Sequence, residues 1–165
     1  MLSAILPAVA ADPAISAALS QTANRDLAMP RGLVPPVLAL MGQDESSRSP
    51  LIVAVTPTGR EADELAGALR AYLPESAVEL FPAWETLPPR SDTVARRILV
   101  QRRLAHPEDF APLRVLAMPV RALLQPIAEG LGELKPVRVN VGDTLDLESL
   151  ERALVDAAYS RVDMV

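Results

Sequence analysis

The sequence predicts an α/β domain, a doubly wound and mostly parallel sheet with helices on both faces. Residues 51–55 form a continuous apolar run rich in valine, and an amphipathic helical pattern follows it. The same order, a strand-like segment and then a helix-like one, recurs several times along the 165 residues. Alternation of this kind favours parallel strands joined by right-handed crossovers. A chain of this length accommodates one domain, or one domain and the start of a second.

The first fifty residues predict two helices separated by a short strand. Asp12 precedes Pro13, and this pair is typical of a helix start, because aspartate accepts hydrogen bonds from free amides and proline fits the first turn. We expect this helix to run from Pro13 to about Thr22. A short strand over residues 25–28 and an apolar helix ending near Met41 are expected to follow.

The central segment predicts a buried strand and an amphipathic helix. Because residues 51–55 have no polar side for water, the strand is expected to be covered on both faces. Thr58 and Glu61 have the spacing of a capping box, which predicts that a helix begins there. The apolar positions of this helix form one stripe, consisting of Ala62, Leu65, Ala66, Leu69 and Leu73.

The next segments continue the alternation. Strands are predicted at residues 78–81 and 114–118, with a helix over residues 92–104 between them. That helix is expected to have one apolar side formed by Val94, Ala95, Ile98 and Leu99. A further helix is predicted to begin at Pro119 and to run through Leu124, since proline is favoured in the first turn.

The C-terminal part predicts two strands around one helix. Residues 137–141 alternate in polarity, which indicates a strand. Asp146 is positioned to cap a helix, whose apolar positions are Leu147, Leu150, Leu154 and Ala158. Residues 161–165 are predicted to begin one more strand.

Composition excludes several classes of protein. The net charge of −5 argues against a surface that binds nucleic acid throughout, although it leaves a local basic strip open. The chain has no cysteine and a single histidine, His106, so thiolate and multi-histidine metal sites are excluded. No run approaches the ~20 apolar residues of a membrane span. The apolar N-terminus lacks a basic start and contains Pro7, so we expect it to pack on the domain of a cytoplasmic protein.

The turn that binds phosphate in nucleotide enzymes of this fold lacks the required residues. Such turns supply glycine amides around the phosphate, followed by Lys and Ser or Thr. Residues 28–36 contain one glycine and no such pair, and they include three prolines, which have no amide donor. Nucleotide enzymes of this kind also carry a pair of acidic residues at the end of an apolar strand. The strand at residues 114–118 runs into a proline instead and has no Asp or Glu at its end. We therefore predict no catalytic, cofactor-binding or metal-binding residues in this chain.

Two groups of residues are candidates for contact with DNA or with another domain. Thr58, Gly59 and Arg60 form a turn at a predicted helix N-terminus, where backbone amides suit phosphate. The capping box alone also explains these residues. The second group is the densest basic cluster of the chain, formed by Arg90, Arg96, Arg97, Arg102 and Arg103.

The periodicity of a helix divides these arginines between its sides. At 3.6 residues per turn, Arg96 and Arg103 are expected on the solvated side, with Arg97 at its edge. Arg102 falls within the apolar arc, where it must extend to solvent or pair with a carboxylate. An ordinary solvated face with internal ion pairs is the interpretation that we favour for the cluster.

Trp84, the only tryptophan, lies in a loop between two prolines. A single tryptophan in such a loop is typical of a packing anchor, because its ring buries a large apolar area. We therefore predict that Trp84 is a packing anchor.

Several motifs together resemble one family, the bacterial transcription-repair coupling factors. The most specific are Trp-Glu-Thr-Leu-Pro at residues 84–88, Asp-Thr-Val at 92–94 and Arg-Leu-Ala-His-Pro at 103–107. Residues 58–65, 120–126 and 159–165 also match the family pattern. The resemblance covers most of the chain from about Leu51 onwards, and the earlier residues share mainly the order of elements.

The chain departs from the family pattern at one internal loop. Coupling factors usually have a longer segment between Leu87 and Arg90 than the two prolines found here. Either the loop is shortened in this chain, or residues are missing between Pro88 and Pro89, which is the explanation we favour. The family also continues beyond Val165 with the domain that docks the repair protein UvrA.

The resemblance implies a UvrB-like module with a degenerate P-loop, helicase-like fold and no catalysis of its own. It divides the chain into an N-terminal helical segment (1–24), the UvrB-like α/β domain (25–158) and the start of a following domain (159–165). The implied parent is a DNA translocase that uses ATP and Mg²⁺, displaces stalled RNA polymerase at lesions and recruits UvrA for nucleotide excision repair. UvrA would bind mainly through the downstream domain, and RNA polymerase and double-stranded DNA through other parts. No membrane partner is implied. In the family the loop that contains Trp84 lies beside a second, inserted domain, so the resemblance also implies that Trp84 packs at an interface between domains.

Two alternatives remain open at this point. The first is a nucleotide-binding enzyme of the helicase-like or dinucleotide-binding folds with an unorthodox phosphate site. The second gives the basic strip of residues 90–103 a role in binding duplex DNA, which would make affinity strongly dependent on salt.

Overall fold

The computed structural model describes residues 2–20, 24, 26–43, 51–87, 90–127, 129–133, 137 and 139–156. The predicted strand at 161–165 and the loop at Pro88 and Pro89 lie outside these residues. So do Arg25, Ala158 and residues 44–50.

Three parallel strands form the sheet in the described part of the chain. They are β1 (Ile52–Thr56), β2 (Val78–Leu80) and β3 (Val115–Pro119). The spatial order is β1-β3-β2, with Val115 paired to Ile52 on one side and to Val78 on the other. Every residue of the central strand β3 is buried. The predicted parallel α/β fold is therefore confirmed.

The helices surround this sheet. They are α1 (Leu6–Ala10), α2 (Pro13–Leu19), α3 (Val34–Gln43), α4 (Gly59–Arg70), α5 (Ser91–Ala105), α6 (Val120–Leu124) and α7 (Leu147–Asp156). Short 3₁₀ turns connect them at Leu2–Ile5, Arg31–Leu33, Glu75–Ala77, Pro107–Asp109 and Leu131–Glu133.

One face of the sheet is covered by the apolar sides of α3 and α4. Their buried residues form one cluster with the strands that includes Ala39, Ala62, Ala66, Leu69, Leu73, Val78, Val115 and Ala117. The predicted stripe of α4 is confirmed, with Leu65 partly buried at its margin. Burying a leucine side chain contributes about 1.5–3 kcal/mol, so this face supplies most of the apolar stabilisation.

The N-terminal segment packs on the same side. Leu6 of α1 is buried within the cluster, and the amide of Leu2 donates to the carbonyl of Ala71 at the end of α4. The Asp12 side chain caps α2 by accepting from the amides of Ala14 and Ile15 at 2.8 and 3.1 Å. The burial of Leu6 confirms the predicted packing of this segment on the domain. The predicted Asp12 cap is also confirmed, and α2 begins at Pro13, the residue that follows it.

The opposite face of the sheet has a smaller apolar cluster under α5 and α6. It contains Phe81, Val100, Leu116, Met118 and Ala122. The expectation that residues 51–55 are covered on both faces is wrong, because Val53 and Val55 remain 48% and 45% exposed. They lie beside Leu116 and Met118 in register, but β1 is an edge strand and the cluster is built on β3.

The predicted apolar side of α5 is also wrong in part. Ala95 and Leu99 are exposed, whereas Arg97, Val100 and Arg103 are buried. The helix turns arginines towards the sheet because several carbonyl groups and one carboxylate near β2 accept their hydrogen bonds.

Two predicted strands are absent from the described residues. Asp26 to Pro30 have no regular secondary structure, and no described strand pairs with them. The described part of residues 137–141 is also irregular, because Asp143 accepts from the amide of Asn140 at 2.8 Å and closes a turn at Gly142, whose φ is +97°. A short side chain hydrogen-bonded to a nearby amide competes with a strand ladder.

Helix α7 is amphipathic but mostly exposed. Asp146 caps it as predicted, accepting from the amide of Ser149 at 3.0 Å. Leu150 and Leu154 are half-buried, and Leu147 is 77% exposed.

Candidate functional site

The turn before α4 is built by its own hydrogen bonds. Thr58 accepts from the amide of Glu61 at 3.2 Å, and its hydroxyl contacts the Glu61 carboxylate at 3.1 Å. The Thr56 hydroxyl donates to the Thr58 carbonyl at 2.9 Å. The predicted Thr58 cap is confirmed, and it occupies one of the amides that a phosphate would need.

Two more acidic side chains, besides Glu61, lie close to this turn. Arg60 is exposed and donates to Glu64 at 2.8 Å. The hydrogen bond to Glu64 raises the pKa of Arg60 above its ordinary value. A carboxylate oxygen of Glu85 lies 3.9 Å from the position that a Cβ atom on Gly59 would take. Negative charge therefore already lies near the first turn of α4, where it is favoured by the helix dipole.

The Trp84 loop is held by a side chain that sequence analysis did not identify. Gln125, at the C-terminal end of α6, accepts from the Trp84 amide at 2.7 Å and donates to the Trp84 carbonyl at 2.9 Å. These two bonds pair the loop backbone as a neighbouring strand would. A glutamine before a proline gives no signal of such a role, so only the folded contacts reveal it.

Arg97 lies at the centre of this region. Its guanidinium carbon lies 4.2 Å from the ring centroid of Phe81 and 4.8 Å from that of Trp84, distances typical of cation–π contacts. Nη1 donates to the Pro82 carbonyl at 2.9 Å. Arg97 is only 2% exposed, and this burial lowers the pKa of Arg97 below its ordinary value. Trp84 thus packs against its own domain through Arg97.

Arg103 makes contacts inside the domain. It binds the Glu79 carboxylate at 2.6 Å and donates to the carbonyls of Ser76 and Ala111 at 2.6 and 2.9 Å. The expectation that Arg103 lies on the solvated side of its helix is wrong, since it is 7% exposed. Arg102 pairs with Asp109 at 3.0 Å, which is the second of the two arrangements expected for it, extension to solvent or pairing with a carboxylate.

Arg90 and Arg96 have exposed side chains, unlike the other members of the basic cluster. Arg90 lies 3.3 Å from Asp92 in an exposed ion pair. The structure therefore divides the cluster into two exposed arginines and three buried ones. It does not bring them together as one basic strip.

The turn between residues 30 and 36 has few free amides. The amides of Leu33 and Val34 donate to the carbonyls of Pro30 and Arg31. Prolines occupy the second and third positions of α3, so at most two amides of this turn remain to face a ligand. A phosphate cradle needs several converging amides.

The described residues provide no candidate metal site. Among them, no group of three or more His, Asp and Glu side chains could hold a metal ion. His106 lies in an ordinary polar setting, 2.9 Å from Glu133 and 3.4 Å from Glu108.

Within the described part of the chain, no single helix is long and apolar enough to cross a membrane. The helical segments Leu2–Ala10 and Pro13–Leu19 pass that test together, by length and composition only, and are bent by 88° relative to each other.

The transcription-repair-coupling factors of Mycobacterium bovis and Mycobacterium tuberculosis are each 48% identical to the chain over 126 residues. The match covers 72% of the chain and 10% of each relative, so the chain spans about one-tenth of their length. No protein-family model matches the chain. The resemblance indicated by the sequence motifs is thereby confirmed, and the chain is a relative of the transcription-repair coupling factors.

Proposed function

We propose that this chain is the N-terminal, non-catalytic UvrB-like module of a transcription-repair coupling factor. The observation that carries this proposal is the 48% identity over 72% of the chain. In the proposed parent, ATP-driven translocation on DNA displaces stalled RNA polymerase at lesions, and UvrA is recruited for nucleotide excision repair. The module acts in the cytoplasm as a scaffold that supports the surface for UvrA.

The geometry of the phosphate turn supports a role without catalysis. Its prolines and internal hydrogen bonds leave too few amides for a triphosphate, and β3 runs directly into α6 without an acidic residue. ATP and Mg²⁺ are therefore assigned to a motor elsewhere in the parent. The unorthodox nucleotide site of the alternative enzyme has no support among the described contacts.

The candidate contact residues divide into two proposed roles. Arg60, Arg90 and Arg96 are exposed, so they remain candidates for contact with DNA phosphates or with another domain, together with the Thr58–Gly59 turn. Arg97 and Arg103 are buried and bonded within the domain, which favours a structural role. Trp84 is half-buried, so part of its surface is available for another domain.

The proposal is tested by a chimera. The segment of the Mycobacterium tuberculosis coupling factor that matches this chain is replaced by the present sequence, and a second variant lacks that segment. We expect the chimera to retain ATP hydrolysis and UvrA binding. The deletion is expected to retain ATP hydrolysis, because a scaffold contributes no catalytic group. It is expected to lose UvrA binding, because the surface for UvrA would lose its support.

Controls separate misfolding from loss of function. Circular dichroism and the thermal midpoint establish that both variants fold. Loss of ATP hydrolysis in a folded deletion variant would show that the module takes part in catalysis. Undiminished UvrA binding in that variant would remove the scaffold role.

A further inference from the structure

Three arginines of α5 are buried, and only one of them lacks a carboxylate. Arg102 and Arg103 form ion pairs with Asp109 and Glu79. No described carboxylate lies within ion-pair distance of Arg97, although Arg97 is the most buried of the three. Removing a charge from water is costly unless an opposite charge or a full set of hydrogen bonds compensates it.

The hydrogen bonds of Arg97 are incomplete as well. Nη1 has the Pro82 carbonyl as its acceptor, but Nη2 is buried without a partner among the described residues. The aromatic rings of Phe81 and Trp84 provide attraction to the cation, but their faces accept no strong hydrogen bond. One donor of a buried cation is therefore left unused.

A second unused donor belongs to the same stack. Nε1 of Trp84 is also buried and has no hydrogen-bond partner among the described residues. A buried tryptophan usually finds an acceptor for this group. Since the Arg97 guanidinium carbon lies 4.8 Å from the centroid of the Trp84 ring, both donors belong to two stacked side chains, one of which carries an unpaired positive charge.

We propose that Arg97 Nη2 and Trp84 Nε1 form a binding site for a carboxylate. A carboxylate has two acceptor oxygens and one negative charge, which match two donors and one unpaired cation. A phosphate dianion carries more acceptors than this site has donors. This carboxylate site does not depend on the proposed scaffold function.

The approach to the carboxylate site lies beside Trp84. A cavity of ≈ 310 Å³ is lined there by Trp84, Thr86, Leu87, Gln125 and the oppositely charged pair Glu85 and Arg121. The charges of that pair offset each other, so Arg97 supplies the net attraction. Leu87 is 87% exposed. Arg97 is not among the lining residues, so a ligand reaches both buried donors only when side chains around the cavity shift.

The single tryptophan makes the carboxylate site directly observable. The ¹⁵N-labelled chain gives one indole N–H resonance, which is followed during titration with sodium acetate at constant ionic strength. We expect a saturable downfield shift in the millimolar range. The shift should be lost in Arg97→Gln and kept in Arg96→Gln, whose side chain is an exposed neighbour on the same helix.

Several results would overturn the carboxylate site. They are an indole shift that does not saturate, an equal shift in the Arg97→Gln variant, and tighter binding of inorganic phosphate than of acetate. The first would leave water as the acceptor for both donors.

A glutamate blocked at both backbone ends serves as a second probe. Tighter binding than acetate identifies a protein side chain as the source, and equal binding identifies a free carboxylate, so either result agrees with the site.

A second variant keeps the test valid if Arg97→Gln does not fold. Trp84→Phe retains an aromatic ring against Arg97 and loses only the N–H donor. Ligand binding to the folded state raises the thermal midpoint, so acetate should raise that of the unmodified chain. We expect at least half of that rise to disappear in Trp84→Phe. An undiminished rise would exclude Trp84 from the carboxylate site.

Discussion

The two faces of the sheet are stabilised by different chemistry. The face under α3 and α4 is packed with small and branched apolar residues, such as Ala62, Ala66 and Leu69, all fully buried. The face under α5 has a smaller apolar cluster and three buried arginines. Apolar packing has no directional requirement, whereas each guanidinium needs specific acceptors. The first face should therefore tolerate repacking, and the second should depend on single contacts.

Removing Arg103 is expected to have the largest effect on stability. Arg103→Ala leaves the Glu79 carboxylate and two carbonyls without their donor. Breaking a buried pair from one side typically costs 3–5 kcal/mol, so we expect a loss of about 4 kcal/mol in the free energy of unfolding. Urea denaturation measures it. The matched control Arg96→Ala should change stability by less than about 0.5 kcal/mol, and equal losses would contradict the division of the arginines.

Truncating the apolar face is expected to cost slightly less. Leu69 is fully buried in α4, and Leu69→Ala should lower the free energy of unfolding by about 3 kcal/mol, through lost burial and a residual cavity. Leu99→Ala removes the same atoms from an α5 residue that is 44% exposed, and should cost less than about 1 kcal/mol. A Leu99 effect as large as that of Leu69 would show that α5 faces the sheet as its sequence pattern predicts.

Loss of the Thr58 cap is expected to have a moderate effect. Thr58→Ala removes the acceptor for the Glu61 amide and should destabilise the domain by about 1 kcal/mol, the usual cost of losing an N-cap. Thr58→Ser keeps the hydroxyl and should restore most of that stability in thermal denaturation. If the serine variant is as unstable as the alanine variant, capping is not the contribution of Thr58.

The smallest expected effect concerns Asp146 and pH. Hydrogen bonds from the Ser149 hydroxyl and amide hold the pKa of Asp146 below its ordinary value of 3.8. A carboxyl whose pKa is lower in the folded state stabilises the fold above its unfolded pKa, and this stabilisation disappears as the pH falls through the folded pKa. The contribution to α7 should therefore be lost below about pH 4. In NMR titration, Ser149→Ala should raise the midpoint of Asp146, and an unchanged midpoint would contradict this cause.

Sequence patterns were sufficient for the α4 face and insufficient for the α5 face. The α4 stripe follows from apolar spacing, because its buried residues are all apolar. In α5, Arg97 and Arg103 are buried and Ala95 and Leu99 are exposed, so a rule that places charges in water gives the wrong orientation. The acceptors that reverse it, such as the Pro82 and Ala111 carbonyls, are backbone groups that no sequence pattern reveals.

The missed strands and the Trp84 contacts have similar causes. In the described parts of residues 25–28 and 137–141, strand propensity has no structural consequence without a pairing partner, and no described strand supplies one. Trp84 could be singled out as the only tryptophan, but Gln125 lies 41 residues away in the chain. Contacts at such separation depend on the folded topology, which local spacing does not determine.

We propose that this module does not hold a nucleotide, and titration with ATP and Mg²⁺ tests that proposal most directly. The thermal midpoint of the 165-residue chain and the amide resonances of Arg31 and Gly32 are followed up to millimolar ATP. We predict no change in either. A site with micromolar affinity would stabilise the fold by about 4 kcal/mol at millimolar ligand. A rise of that size, with shifts at those two amides, would contradict the account.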